Sequence, residues 1–228
     1  MDYVYICRPG DNEELRYSIR SVLANAPEGN IWVVGDKPDW YSGNHIYVNP
    51  KSSKYGNARM NIEAILNSTE ISERFVLMND DFFIVKPVKE IKYFYNGKMK
   101  NIIEALESRR GNAGYLNLLR KTHQKLIRNR ISNPLNYELH IPMVMEKEKL
   151  NKIFVQYSLW RSPYGNIYKV GGEYMRDVKY HTNPVHKTSF HYLESDLPYL
   201  STEDDSFEEV LPYLENLFPN PSPYELDR

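Results

Sequence analysis

Apolar and polar positions alternate along the first 85 residues in a way that predicts strands and helices in turn. Tyr3–Cys7 is a short β-prone run that ends in the turn signal Arg8-Pro9-Gly10-Asp11. Glu13–Asn25 follows with Leu15, Ile19, Val22 and Leu23 at helical spacing. Ile31–Val34 is a second strand, closed by Gly35-Asp36-Lys37-Pro38, and His45–Val48 is a third. Ala58–Asn67 is expected to be a helix with Ile62, Ile65 and Leu66 inward. Phe75–Met78 is a buried strand, and Phe82–Val85 continues its apolar run. Strands alternating with helices imply a largely parallel sheet, in which ligands collect beyond the carboxyl ends of the strands.

The pattern after residue 97 is less regular. Helices are expected at Asn101–Ser108 and Leu116–Asn129, the latter burying Leu119, Leu126 and Ile127 and leaving Arg120, Lys121, Lys125 and Arg128 in water. Tyr137–Ile141 reads as a strand, with Pro142 opening a helix that takes in Glu146–Val155. Ser162–Asn166 reads as a loop. Ser206-Phe207-Glu208-Glu209 fits a capping box for a helix running to about Leu217, and the proline-rich stretch Phe218–Pro223 ends it. With no clear linker, the chain is expected to be one α/β domain: a Rossmann-type mixed sheet flanked by helices, with a more irregular α+β C-terminal half.

Composition narrows the classes. The 228 residues are 41% hydrophobic and 26% charged, enough apolar material for a core, and the formal charge is −1, which excludes a globally cationic partner surface. The balance hides an asymmetry. Lys98–Arg130 carries nine Lys/Arg against Glu104 and Glu107, while Leu193–Arg228 carries ten acids against one Arg. Either the two regions pair or remain solvated faces, or the basic one holds a polyanion. One cysteine, Cys7, leaves no intramolecular disulfide and no cysteine zinc cluster. No apolar stretch approaches the roughly 20 residues of a membrane span, and the N-terminus lacks the pattern of a secretion signal. A soluble, cytoplasmic protein is expected.

The most informative stretch is Phe75-Val-Leu-Met-Asn79-Asp80-Asp81-Phe82-Phe83-Ile84-Val85, where an amide and two carboxylates interrupt an apolar run. Burying a bare carboxylate costs roughly several kcal/mol unless it is paired or bound to a cation. Mg²⁺ and Mn²⁺ favour carboxylate and phosphate oxygens, so a cation bridged by a diphosphate offsets that cost. The alternative is a turn between two strands that uses Asp for local hydrogen bonds.

This arrangement resembles the acidic motif of GT-A glycosyltransferases, whose nucleotide-sugar domain is a Rossmann-like sheet. Four strings resemble phage-encoded glycosyltransferases: Gly10-Asp-Asn-Glu-Glu-Leu-Arg-Tyr-Ser-Ile-Arg-Ser21, Ile31-Trp-Val-Val-Gly-Asp-Lys-Pro-Asp-Trp40, the Phe75–Phe83 stretch, and Phe218-Pro-Asn-Pro-Ser-Pro-Tyr-Glu225. More distantly they resemble Stealth-type sugar-phosphate transferases, which share an Asn-Asp-Asp core. The resemblance implies a GT-A-like domain over 1–228, with a nucleotide-sugar-binding half at 1–97 and an acceptor-side half and tail at 98–228. It implies Asp81 as the main ligand of Mn²⁺ or Mg²⁺, Asp80 as ribose or metal contact, and Asn79 as a sugar or supporting contact. The Arg8–Asn12 turn would lie over the nucleotide, with Arg8 on phosphate or base. His181 resembles the additional metal-binding histidine of some members. Asn79 stands where the family's motif has its first acid.

Other candidates come from the residues themselves. The loop Lys51–Asn57 leads into a helix start that can offer N–H groups and a lysine to a diphosphate, with Lys54 and Arg59 as contacts. His140, just before Pro142, is placed to reach an active site, whereas mid-helix His123 reads as a core-edge residue. Asp177, after the glycines Gly171-Gly172, is the candidate general base for an inverting transferase. Trp40 is the aromatic side chain best placed for ligand stacking.

Two function classes remain. One is a metal-dependent glycosyltransferase using a nucleotide-sugar, foremost a UDP-sugar, on an acceptor that is phage DNA with a hydroxylated pyrimidine or a polysaccharide; sugar-phosphate transfer is its variant. The other is a non-catalytic nucleic-acid or saccharide-binding protein that uses the basic stretch.

Overall fold

A computed structural model describes residues 1–50, 53–108, 113–182 and 191–226. In chain order the elements are β1 (Asp2–Cys7), α1 (Glu13–Asn25), β2 (Ile31–Gly35), β3 (Asn44–Tyr47), α2 (Lys54–Asn67), β4 (Arg74–Asn79), β5 (Phe82–Ile84), β6 (Phe94–Tyr95), α3 (Met99–Ser108), α4 (Ala113–Arg128), β7 (Met143–Glu146), α5 (Lys147–Phe154), α6 (Arg161–Ile167), β8 (Glu173–Tyr174), β9 (Tyr199–Ser201) and α7 (Asp204–Leu217). The chain divides into two compact units: Met1–Ile91, His140–Lys147 and Val178–Arg228 form the first, and Lys92–Leu139 with Glu148–Asp177 the second. The first unit therefore draws on both halves of the sequence.

The first unit is built on a five-stranded sheet of order β3-β2-β1-β4-β7, parallel except for β7, which runs antiparallel to β4. β1 and β2 are buried almost throughout, as strands covered on both faces must be. The chain leaves β1 through α1 to β2 on one side, then crosses through α2 to β4 on the other. The order reverses between β1 and β4, where Ile6 pairs with Asn79, so a crevice opens beyond their carboxyl ends. At the end of β2, Gly35 has φ +124°, and a Cβ there would stand 2.4 Å from the Cys7 carbonyl oxygen. Only glycine fits so close to the neighbouring strand.

A second, two-stranded sheet pairs β5 with β9 antiparallel. The other edge of β5 is satisfied by α1: Ser21 Oγ accepts from the Ile84 N–H at 3.0 Å, Asn25 Nδ2 donates to the Ile84 carbonyl at 2.7 Å, and Ser18 Oγ donates to the Phe82 carbonyl. Ser18 and Ser21 are fully buried in this role, while Leu23, expected inward, is exposed. The proline-rich tail packs back on α1. The Glu225 carboxylate accepts from Arg16 Nη1 at 2.7 Å and from Arg20 Nη2 at 2.6 Å. The Arg16 guanidinium in turn lies 4.3 Å from the Trp40 ring centre. Trp40 is 6% exposed and donates to the Asp11 carbonyl at 2.8 Å, so it is a packing residue and not the ligand-facing one expected.

The second unit holds α3, α4, α5 from Glu148 onward, α6 and the short parallel pair β6–β8. Three expectations are corrected. Tyr137–Ile141 alternates as a strand should, with Tyr137, Leu139 and Ile141 buried, but its Tyr137 N–H goes to Ser162 Oγ at 3.0 Å instead of a ladder. The strand comes later, at Met143–Glu146, where β4 supplies the partner. Ser162–Asn166 is part of helix α6, held by Asn166, whose side chain caps both the N–H and the carbonyl of Leu135. Pro163 is tolerated in its first turn, where an N–H has no helical partner. Ile127, expected inward on α4, is exposed. Among the described residues no helix is long and apolar enough to cross a membrane.

Candidate functional site

Asp80 and Asp81 form the tight turn that carries the chain from β4 to β5, placing them at the carboxyl end of the central sheet. They are a turn and line a cavity at once: their side chains are 13% and 15% exposed, and both border a cavity of about 690 Å³ in the first unit. The end of β1 contributes Ile6, Cys7, Arg8 and Pro9, α1 contributes Glu14, and the start of α7 contributes Asp204 and Asp205.

The cavity's charges are ordered. Asn12, in the left-handed conformation at φ 46°, is the N-cap of α1: its Oδ1 accepts from the Leu15 N–H while its Nδ2 donates to Asp80 Oδ2 at 2.7 Å. Arg8 spans three carboxylates, Glu14 and Asp204 at 2.6 Å each and Asp80 at 3.4 Å. Glu14 is 4% exposed and also accepts from Thr202 Oγ1 at 2.7 Å. Asp81 Oδ2 faces Lys179 Nζ at 3.2 Å and Ser201 Oγ at 3.3 Å.

Negative charge exceeds its compensation here. Burial raises the Glu14 carboxyl to about 7, with the nearby Asp80 and Asp81 adding to the rise against Thr202 and Arg8. Burial, and then the Asp81 charge, raises Asp80 to about 6 despite Arg8 and Asn12. Asp81 Oδ1 is buried without a hydrogen-bond partner. An orphaned carboxylate oxygen beside a second buried aspartate is a fitting donor set for a hard divalent cation. Among the described residues no three His, Cys, Asp or Glu side chains converge as a complete ligand set. The fit is therefore to a cation shared with a bound anion, since Mg²⁺ sites commonly use one or two carboxylates plus substrate phosphates.

Of the residues singled out from sequence, Arg8, Lys54, Asn79, Asp80 and Asp81 line the cavity, and Asn12 braces Asp80 from behind. α2 begins at Lys54, capped by Ser53, four residues earlier than expected; Lys51 and Ser52 lie outside the described residues. Lys54, Asn57, Ala58 and Asn61 share the face toward the cavity. Arg59, about 100° round the helix from Ala58, is not on that face. His181 Nδ1 stands 3.0 Å from Glu203 Oε2 and so reaches a lining residue without completing a set of three around the aspartates. His140 packs edge-on against Phe82, ring centres 6.2 Å apart, and is not among the lining residues. Asp177 belongs to the second unit, half-buried at its last position.

Sequence reasoning missed Glu14, Asn57, Asn61, Lys179 and Thr202–Asp205. For Glu14 a signal existed. Glu14, Ser18, Ser21 and Asn25 form a polar stripe at helical spacing beside the apolar one, which marks a helix with two buried faces. Lys179 and Thr202 carried none, because distant strands bring them in.

The acidic tail pairs with α1 and the β1 turn through Glu225 and Asp204, on Arg16, Arg20 and Arg8. The basic stretch of the second unit is partly neutralised internally, by Glu107 on Arg120 at 2.6 Å and Glu104 on Lys100 at 3.8 Å, while Lys98, Lys121, Arg128 and Arg130 are exposed. Arg109 and Arg110 lie outside the described residues.

No protein-family model matches the chain. An exopolysaccharide phosphotransferase of Streptomyces coelicolor is 30% identical over 101 residues, 38% of this chain; the match spans 17% of that protein's length. The galactosyltransferase LgtC, solved in complex with donor and acceptor sugar analogs, superposes with a TM-score of 0.51 at 10% identity, over 97% of this chain and 96% of its own. The central, mostly parallel sheet flanked by helices, with its crevice between β1 and β4, is thus a GT-A glycosyltransferase fold.

Proposed function

We propose that the chain is a metal-dependent transferase that takes a sugar or sugar phosphate from a nucleotide-sugar donor. The observation that carries this is the pairing of buried Asp80 and Asp81 at the β1–β4 crevice with cations on the same cavity wall. Asp81 and Asp80 would hold Mn²⁺ or Mg²⁺, which when bound would neutralise charge on the departing nucleotide, a nucleoside diphosphate where the sugar alone moves and a nucleoside monophosphate where the sugar phosphate moves. Arg8, held by three carboxylates, is fixed over the end of β1 as a preorganised hydrogen-bond donor for phosphate. Lys54, exposed in the first turn of α2, adds a mobile charge at a helix start that favours anions. Asn57 and Asn61 offer neutral polar contacts on the same wall.

Transfer to a polysaccharide acceptor, with or without the phosphate, is supported by the named activity of the Streptomyces relative. The exposed Lys98, Lys121, Arg128 and Arg130 favour a second reading, a DNA acceptor. Salt separates the two. Transfer to DNA falls steeply between low and moderate salt, because phosphate contacts release counterions, and transfer to a neutral glycan does not.

The test of the function is donor binding and turnover. Melting of the purified chain is followed with UDP- and GDP-sugars, with and without Mn²⁺. A matched donor raises the melting point only with the cation, because a ligand that binds the native form alone stabilises it. Asp81→Ala removes both that shift and donor hydrolysis while retaining the fold. Retention of a cation-dependent shift in Asp81→Ala refutes the assignment, and a protein that binds saccharide or DNA equally well without Asp81 is a binding module and not this enzyme.

A further inference from the structure

Lys179 is a cavity residue to which the proposed chemistry gives no role of its own. Its ammonium stands 3.2 Å from Asp81 Oδ2, with both side chains largely buried, at 12% and 15% exposure. The residue occupies the same cavity wall as Asp80 and Asp81. Its backbone is clamped. Lys179 bridges Ser201, the Tyr180 N–H donates to the Ser201 carbonyl at 2.8 Å, and the Ser201 N–H donates to the Val178 carbonyl at 3.1 Å. Only the four-carbon side chain is left to move. Arg8, by contrast, is held in place by Glu14, Asp80 and Asp204 together. Among the described residues Asp81 is the one carboxylate Lys179 pairs with, and Oδ1 of that same carboxylate has no partner.

An ammonium and a divalent cation on one carboxylate repel each other strongly in a site of low effective dielectric. A cation that takes the free Oδ1 therefore weakens the ammonium's hold on Oδ2. We propose that Lys179 is a tethered counter-cation of Asp81: it neutralises the aspartate when the site holds no metal, gives way when a divalent cation arrives, and then turns its ammonium to the donor's diphosphate. A lysine suits this role, being a compact point charge on a flexible stem. The exchange keeps the aspartates from standing bare between turnovers, and it couples cation binding to donor binding. This rests on the proposed use of Asp80 and Asp81 as a cation site.

The test measures Mn²⁺ binding alone, by the loss of the free-ion electron paramagnetic resonance signal, and separately UDP and GDP binding in the presence of Mn²⁺, by calorimetry. The proteins are the full chain and its Lys179→Met and Lys179→Arg variants. Lys179→Met is expected to bind Mn²⁺ roughly tenfold or more tightly, because the competing charge is gone, while binding nucleoside diphosphate more weakly. Lys179→Arg, which keeps the charge, stays near the parent in its Mn²⁺ affinity. Added Mn²⁺ also raises the melting point of Lys179→Met by more than that of the parent, which guards against a variant that is merely less stable. Unchanged or weaker Mn²⁺ binding in Lys179→Met, in a parent that does bind Mn²⁺, overturns the inference and leaves the cation site standing. Absence of Mn²⁺ binding in both parent and variant overturns the cation site itself, and the inference with it.

Discussion

Asn12 Nδ2 donates to Asp80 Oδ2 at 2.7 Å, so the residue that caps α1 also holds the buried aspartate 68 positions later in the chain. One short side chain thereby ties the helix that follows β1 to the turn that follows β4. The two jobs separate by mutation. Asn12→Ala loses both and should destabilise the protein by about 1–2 kcal/mol. Asn12→Ser keeps a cap but loses the reach to Asp80, and should recover part of that stability without recovering cation affinity. Urea unfolding and Mn²⁺ titration of the two variants check this.

Asp81→Asn preserves shape and removes the charge. If Asp81 carries the cation, donor turnover should fall by at least about 100-fold, a loss of roughly 3 kcal/mol in transition-state stabilisation. Stripping the protein with a chelator should produce the same loss, reversible by Mn²⁺ or Mg²⁺ in the parent and not in the variant.

Glu14 sets a pH dependence. Its carboxyl is raised to about 7 in the folded protein, chiefly by burial, from an ordinary value of 4.5. The native state then holds a proton that the unfolded chain releases, so this contribution to stability is complete below about pH 4 and is lost as pH rises through 7. Asp80, raised to about 6, acts in the same direction. The metal-free protein should lose about 3 kcal/mol from Glu14 over that window. Glu14→Gln should flatten the profile, as read from melting points between pH 4 and 8.

Glu225 has the opposite sign. The Arg20, Ser222 and Arg16 hydrogen bonds outweigh its burial and hold it down at about 2. Stability from this group is complete above its ordinary range and is lost as pH falls from about 4.5 to 2. Glu225→Gln should cost about 3 kcal/mol at pH 7, and should make the acid limb of unfolding shallower. Because Arg16 lies on Trp40, and Trp40 donates to Asp11 in the turn beyond Arg8, tryptophan fluorescence should report the tail's release.

Gly35→Ala tests the crevice itself. An added Cβ would sit 2.4 Å from the Cys7 carbonyl and 2.7 Å from Asn61 Nδ2, at a φ of +124° that alanine resists. A loss of about 2 kcal/mol or more is expected. Donor affinity should fall too, because Cys7 and Asn61 both line the cavity.

The sequence by itself determined the elements whose evidence is local. The apolar runs at β1, β2 and β4 and the stripe of Leu15, Ile19 and Val22 on α1 are periodic over a few residues, and hydrophobic periodicity is read directly from such windows. The break at Asn79-Asp80-Asp81 was legible for the same reason: two adjacent acids in an apolar ribbon are anomalous wherever the ribbon folds. Tertiary structure decided the rest. Tyr137–Ile141 has a strand's alternation but sends its Tyr137 N–H to Ser162 Oγ, while Met143–Glu146 became a strand because β4 offered its edge. Asn166 made a helix of a stretch rich in turn residues by capping Leu135. Asp81 meets Lys179 across 98 positions, and Glu14 meets Thr202 across 188. A buried polar group takes whichever partner the assembled chain delivers, and that delivery depends on how separate strands pair, which no local spacing records.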